Sequence, residues 1–208
     1  MPTSAGQTSR VNYDLTRGKI IRAAYELFVA GGQGKVGLRE IAKRLGVSAM
    51  MPYKYFPSKD HIMMELRLGA FDEFSARLAE ARKTADGPES ALRGVCSAYL
   101  SYAQEHPNAY RLMFDLWEFD RQDEIDRDFG IDAKREMQSW RVNREAVAAF
   151  AQAQGLEIDV DLGAHVVWAA LHGLASLHLA RKLAFGLHFD DLHRPLIDSI
   201  VEGLKRAS

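Results

Sequence analysis

Residues 38–59 read LREIAKRLGVSAMMPYKYFPSK, and this stretch decides the fold. Ile41, Ala42 and Leu45 share one face of a short helix over 38–45. Gly46 stands just past its end, where glycine can take the left-handed conformation that closes a helix. Ser48 is a good N-cap for a further short helix over 49–55, and Pro57-Ser58 breaks that helix. Two short helices joined by a tight glycine-containing turn form a helix-turn-helix. The second helix of such a unit enters a groove about 12 Å wide by its N-terminal end, so it must be short. Ala42 has to be small where the two helices cross, and Val47 is expected to plug the small core beneath. Pro52 fits poorly, because as the fourth helical residue it lacks the N–H that would bond the cap carbonyl. The reading helix is therefore expected to start irregularly.

Outward from this unit nearly everything has helical spacing. A first helix over 15–30 carries Ile20, Ala24, Leu27 and Phe28 on one face and stops at Gly31-Gly32. Ser58 caps a fourth, 58–84, with Ile62, Leu66, Phe74 and Leu78 in register. After the break at Ala85-Asp86-Gly87-Pro88, helices are expected over 88–106 and from Pro107, the latter carrying Tyr110, Met113, Phe114 and Trp117. An acidic stretch, 118–128, is expected to contain a loop. Helices over 132–154, 161–184 and 190–206 complete the chain, and 161–184 is apolar nearly all round. No strand alternation, repeat or low-complexity segment interrupts the pattern. The fold class is all-α, with about nine helices. A three-helix helix-turn-helix domain occupies 11–61, and the fourth helix links it to a larger helical bundle over 62–208.

Charge divides along the same line. Residues 1–61 hold 10 Lys/Arg against 4 Asp/Glu, whereas 62–208 hold 17 against 24. A basic head suits a polyanion, and an acidic body does not. The single cysteine, Cys96, allows no intrachain disulfide and no thiolate metal cluster, which favours a reducing, cytoplasmic setting. Residues 1–10 lack the apolar core of a secretory signal. No apolar run is read as approaching the roughly 18–20 residues that cross a bilayer, so no membrane role is expected.

The pattern Ile41-Ala42, Gly46-Val47-Ser48, Tyr53, Tyr55-Phe56 and Lys59, with Ala23-Ala24, Leu27-Phe28 and Gly31 before it, resembles the DNA-binding domain of the tetracycline-repressor (TetR) family. The resemblance covers roughly residues 17–66. It implies that Ala49, Met50 and Met51 face base edges, with Ser48 capping the reading helix. It places Tyr53, Lys54, Tyr55 and Lys59 on phosphates, and Arg39 on the backbone or a base. The chemistry agrees, since Lys and Tyr donate to phosphate oxygens and thioethers pack on thymine methyls. The sequence departs from the family where Gly37 replaces a Thr or Ser cap, Met50 a small residue and Pro52 an aliphatic one.

Further on, Trp168, His172 and Gly173 resemble the Trp-His-Gly signature of one TetR C-terminal class, as does the segment His106-Pro107 with 110–114. The family dimerises through its last two helices. The apolar stripe Leu192, Leu196, Ile197, Ile200 and Leu204 supports the same expectation, since a large exposed apolar patch normally marks an interface. Two-fold symmetry then implies a palindromic double-stranded operator. Tyr102, Met113, Phe114, Trp117, Trp140, Arg144, Trp168 and His172 are candidates for an effector site, being large apolar residues with a few polar tips. Plain core is the competing reading for each. No P-loop, Gly-x-Ser-x-Gly, His-Glu-x-x-His or paired Glu-x-x-His motif is present, so no enzyme, catalytic residue, metal or cofactor is expected. The expected function is a repressor released from its operator by a small molecule. A ligand-activated activator, or a helical interaction protein with a non-functional helix-turn-helix, are the alternatives.

Overall fold

A computed structural model describes the backbone of residues 4–114 and 137–207, with side chains from Asn12 onward. Among the described residues every regular element is helical. The described chain divides into two compact units, 4–69 and 70–207. The boundary falls inside a helix, eight residues beyond the expected 61. The reason is that the apolar start of that helix, Ile62, Met63 and Leu66, is buried with the first unit.

In the first unit α1 (Ser4–Gly31) starts well before the expected 15. It ends where Gly32, at φ 70°, donates its N–H to the Phe28 carbonyl. A 3₁₀ turn, Gln33–Lys35, leads to α2 (Leu38–Leu45), and α1 packs on both. Gly37 caps α2 without a side-chain bond, as its lack of a hydroxyl requires. Gly46 is left-handed (φ 67°), and the Val47 N–H reaches back to the Ala42 carbonyl at 3.0 Å, the six-to-one bond of a Schellman closure. Ile20, Ala24, Phe28, Ile41, Ala42 and Phe56 form the buried centre of this unit. Val47 does not plug it, since the side chain is 37% exposed. Then α3 (Lys59–Lys83) begins behind Ser58, whose hydroxyl lies 3.0 Å from His61 Nδ1.

The second unit is built around α4 (Pro88–Glu105), which touches α5 (Pro107–Phe114), α6 (Met137–Gln154), α7 (Val160–Leu179) and α8 (Phe189–Arg206). Leu92, Val95, Tyr99, Tyr102, Ala146, Phe150, Val167, Leu171 and Val201 make its core. Gly163 lets α7 approach its neighbours, because a Cβ there would stand 3.3 Å from Leu204 and 3.4 Å from Val147. Arg93 bonds Glu89 at 3.0 Å and Asp198 at 2.6 Å, tying α4 to α8. The Arg93 guanidinium holds the Glu89 carboxyl below its ordinary pKa. This pair therefore contributes above the ordinary carboxylate range and is lost as pH falls through the depressed value.

Three expectations for α7 fail. Asp159 caps it, accepting from the N–H groups of Asp161 and Leu162 at 2.9 and 3.1 Å. It stops at Leu179 rather than 184, because Arg181 is left-handed (φ 55°) and Lys182 donates to the Leu177 carbonyl at 2.8 Å. By length and apolarity α7 is also long and apolar enough to cross a bilayer. Here its inner face, Gly163, Ala164, Val167, Leu171, Leu174 and Ala175, is buried in the body. Its outer face leaves Leu162 64%, Val166 57% and Leu177 48% exposed, so it is not buried all round. A left-handed L-residue costs roughly 1–2 kcal/mol, more than the unfolded-state entropy glycine adds. Arg181→Gly is therefore expected to stabilise the fold by about 0.5–1 kcal/mol, read as a higher urea midpoint at unchanged m-value.

Candidate nucleic-acid interface and body site

Three features place the residues after Gly46. Pro52 has no N–H to bond the Ser48 carbonyl, so that carbonyl accepts from Met51 instead, at 2.9 Å. Bonds from Lys54 to Met51 (3.1 Å) and from Tyr55 to Pro52 (3.0 Å) repeat this three-residue spacing. The expected α-helix over 49–55 is therefore a tight turn followed by a 3₁₀ helix, Pro52–Lys54. Ser48 enters through its carbonyl and not as a side-chain cap. Pro52 is buried, filling the place an aliphatic side chain would take.

This segment offers its side chains outward. Ser48 and Ala49 are exposed, Met50 is 67% exposed and Tyr53 45%, and Lys54 is exposed. Met51 and Tyr55 are half-buried. The Tyr55 ring lies 4.8 Å from that of Tyr13. Arg39 stands exposed in the first turn of α2, and Lys43, one turn further on, is exposed as well. The sequence reading passed over Lys43, although its i+4 spacing from Arg39 was the available signal. Arg44 differs, pairing with Glu26 at 2.6 Å. Lys59, expected on a phosphate, also serves as a structural tie. It is partly buried, and its ammonium donates to the Gln33 carbonyl at 2.8 Å.

In the body, hydrogen bonds run along four side chains from three helices. The Tyr99 and Tyr110 hydroxyls lie 2.9 Å apart, and the Tyr110 hydroxyl is 2.7 Å from His172 Nδ1. His172 Nε2 lies 3.2 Å from the Ser176 hydroxyl. A neutral imidazole donates from one nitrogen and accepts at the other, so its tautomer sets the direction of the chain. Ser176 was not anticipated, though it follows His172 by one turn. Phe114 packs edge-on to His172 at 5.3 Å, and Trp168 lies 6.3 Å from it. Other candidates sit elsewhere. Tyr102 is fully buried core, its hydroxyl donating to the Ala70 carbonyl at 3.3 Å, and Met113 is buried too. Arg144 lies on the surface, ion-paired with Asp161. The Trp140 ring lies 4.1 Å from that of His165, tilted by 50°. Trp117 lies outside the described residues.

Among the expected interface residues, Ile197, Ile200 and Leu204 are at most 8% exposed and belong to the body's own core. Leu192 and Leu196 are half-buried. On α7, Leu162, Val166 and Leu177 are left bare, and the first two line an apolar cleft of about 390 Å³ together with Ala170, Leu196, Ile200, Gly203 and Leu204. A Cβ at Gly173 would meet nothing within 4 Å, so that glycine does not mark a close helix contact within the chain. Among the described residues no group of three or more His, Cys, Asp or Glu is placed to hold a metal ion. Cys96 is fully buried, and burial raises its thiol pKa to about 12. At pH 8 the folded protein should leave Ellman's reagent unreacted until denaturant is added, and rapid labelling of the native protein would contradict that.

A basic helix-turn-helix unit joined to a larger all-helical body defines the class of one-chain helix-turn-helix regulators. Residues 20–66 match the family of bacterial regulatory proteins named after TetR, and residues 92–203 match the tetracyclin repressor-like C-terminal domain. The chain belongs to the TetR family. It is 30% identical over 107 residues to the HTH-type transcriptional activator FasR of Mycolicibacterium smegmatis, 51% of this chain and 49% of that protein. It is 29% identical over 90 residues to the HTH-type transcriptional regulator TcmR of Streptomyces glaucescens, 43% of this chain and 39% of that one. The matched stretches thus span half or less of these curated relatives. Among solved structures, a protein of unknown function from Rhodococcus sp. RHA1 superposes with TM-score 0.76 at 23% identity, covering 92% of this chain and 95% of that one. The regulator FadR from Bacillus subtilis, solved with stearoyl-CoA, gives 0.69 at 18% identity, covering 89% and 97%. At such identities the likeness is one of fold.

Proposed function

We propose that the chain is a dimeric transcription regulator that holds a palindromic operator through its N-terminal unit and releases it when a small molecule occupies the body. The exposed segment 48–55, with Arg39 and Lys43 beside it on a basic unit, carries this reading. Neutral hydroxyls and cations suit phosphates, and Met50 suits a thymine methyl. Sequence discrimination then rests on apolar contacts, Arg39 and DNA shape, since no Asn or Gln is offered in this segment. Two copies would bury the bare α7 face and the cleft beside Leu196 and Gly203. The polar chain ending at His172 and Ser176, walled by Phe114 and Trp168, is the part of the body suited to orient an apolar effector with one polar group.

Mechanism follows as a shift of populations. An effector that favours one body geometry changes operator affinity only by its differential affinity for the two states. Fluorescence anisotropy with the duplex upstream of the chain's own gene tests the reading. Saturable, salt-sensitive binding and twice the monomer mass by light scattering are expected. A monomer indifferent to that duplex and to random DNA at low salt would leave the interaction-protein reading in its place. The resemblance to a relative named an activator favours a second reading for the direction of control, in which the bound dimer raises transcription. A reporter driven by the bound promoter separates the two.

A further inference from the structure

We infer that Tyr13, seven residues ahead of the matched family region, is a positioning residue that sets the orientation of Tyr55 on the DNA, an inference that rests on the proposed DNA-binding role. The argument starts from Pro52. A reading segment in regular α-helix is held straight by its own i to i−4 ladder. Here Met51, Lys54 and Tyr55 all bond three residues back, and only Phe56 bonds four back, to Pro52. Such a segment is weakly determined by its own backbone, and 3₁₀ geometry is poorer per bond. Its orientation has to be supplied from outside.

Part of it comes from α2, which packs on the segment, and part from one face of α1. The Tyr13 ring stands 4.8 Å from the Tyr55 ring at an interplanar angle of 33°. One turn further along the same face, the Arg17 guanidinium lies 4.8 Å above the Phe56 ring and pairs with Glu65 on α3. The last two aromatic residues of the segment are thus each held by a residue of α1. Phe56 is core, only 2% exposed, so the Arg17 contact secures an anchor that packing already fixes. Tyr55 is half-buried and reaches the surface, so there the stack decides where its hydroxyl points. Tyr13 is itself 45% exposed, which makes its contribution to the folding core small and its contribution to presentation large.

The test is a double-mutant cycle on DNA affinity, using a fluorescein-labelled duplex that the wild-type chain selects from random sequence. An aromatic pair of this kind supports about a tenfold effect, so Tyr13→Ala should weaken binding about tenfold. Tyr13→Phe keeps the stack and should stay within about twofold, which also excludes a direct contact from the Tyr13 hydroxyl. Tyrosine carries no charge, so the dependence of affinity on salt should keep its slope. In a Tyr55→Ala background, Tyr13→Ala should cost nothing further. Helicity and unfolding midpoint of each variant serve as the fold check, with Tyr13→Leu as a bulk-preserving second variant expected to behave as Ala in binding. Additive losses, a Phe variant as weak as Ala, or a Leu variant as strong as wild type would each overturn the inference while leaving the regulator reading intact. A wild-type chain that selects no duplex at all would overturn both.

Discussion

Replacing Arg39, Lys43 and Lys54 together by Ala should flatten the salt dependence of duplex binding without touching the fold. Each cation that neutralises a phosphate contributes a slope of about −0.9 to log K against log salt. Three per protomer, presented twice, amount to a change of about 5 in that slope for a dimer on a full site. At roughly 0.5–1 kcal/mol per screened contact, affinity near 0.1 M salt falls by about a hundredfold to ten-thousandfold. The three residues are exposed and stand outside the buried centre of the unit, so the unfolding midpoint should move little. A slope equal to wild type would mean that these cations do not face DNA. Lys59→Ala makes the contrast. Its ammonium gives one of its three N–H donors to the Gln33 carbonyl, so its loss should lower stability, which the triple variant should not.

Phe74→Ala should come close to unfolding the body. Phe74 is 1% exposed and sits among the rings of Tyr99 and Tyr102, each 5.1 Å away, and Phe114 at 6.4 Å. Removing it deletes a full aromatic side chain at the point where α3, α4 and α5 meet. The ring of partners cannot close on the space, because Tyr99 and Tyr102 are themselves fixed by hydrogen bonds to Tyr110 and Ala70. Such truncations cost about 3–5 kcal/mol, a large share of the roughly 5–15 kcal/mol that holds a domain together. Urea unfolding followed by circular dichroism should show the midpoint fall by at least about a fifth at unchanged m-value. A loss under 1 kcal/mol would show the site to be far more plastic than its packing implies.

Helix positions were legible because apolar spacing and punctuation agreed. Gly46 and Gly31-Gly32 close their helices as read, and Ile41 and Ala42 are buried as the motif requires. Pro52 was legible as a misfit, but its consequence was understated. With no N–H at the fourth position, Met51, Lys54 and Tyr55 all bond three residues back, and four-residue spacing returns only at Phe56. The end of α7 was misread because its stop residue is Arg181, and an arginine in the left-handed region leaves no mark in the sequence. The interface stripe was legible only in part, since Leu196, Ile200 and Leu204 line the cleft beside α7 while Ile200 and Leu204 are core as well. Ile197, Ile200 and Leu204 have the spacing of any buried face, and spacing alone does not say whether a helix turns it toward its own body or a partner. The body's polar chain depends on distances between three helices, so Tyr110 could not be joined to His172 from one dimension.

The most direct test is to let the purified chain choose duplexes from a random-sequence pool at low salt and to sequence what it retains. The account predicts enrichment of two inverted half-sites about one helical turn or a multiple apart, with enrichment lost in the Arg39, Lys43 and Lys54 triple variant. Retention of no duplex, or equal enrichment by that variant, would contradict it.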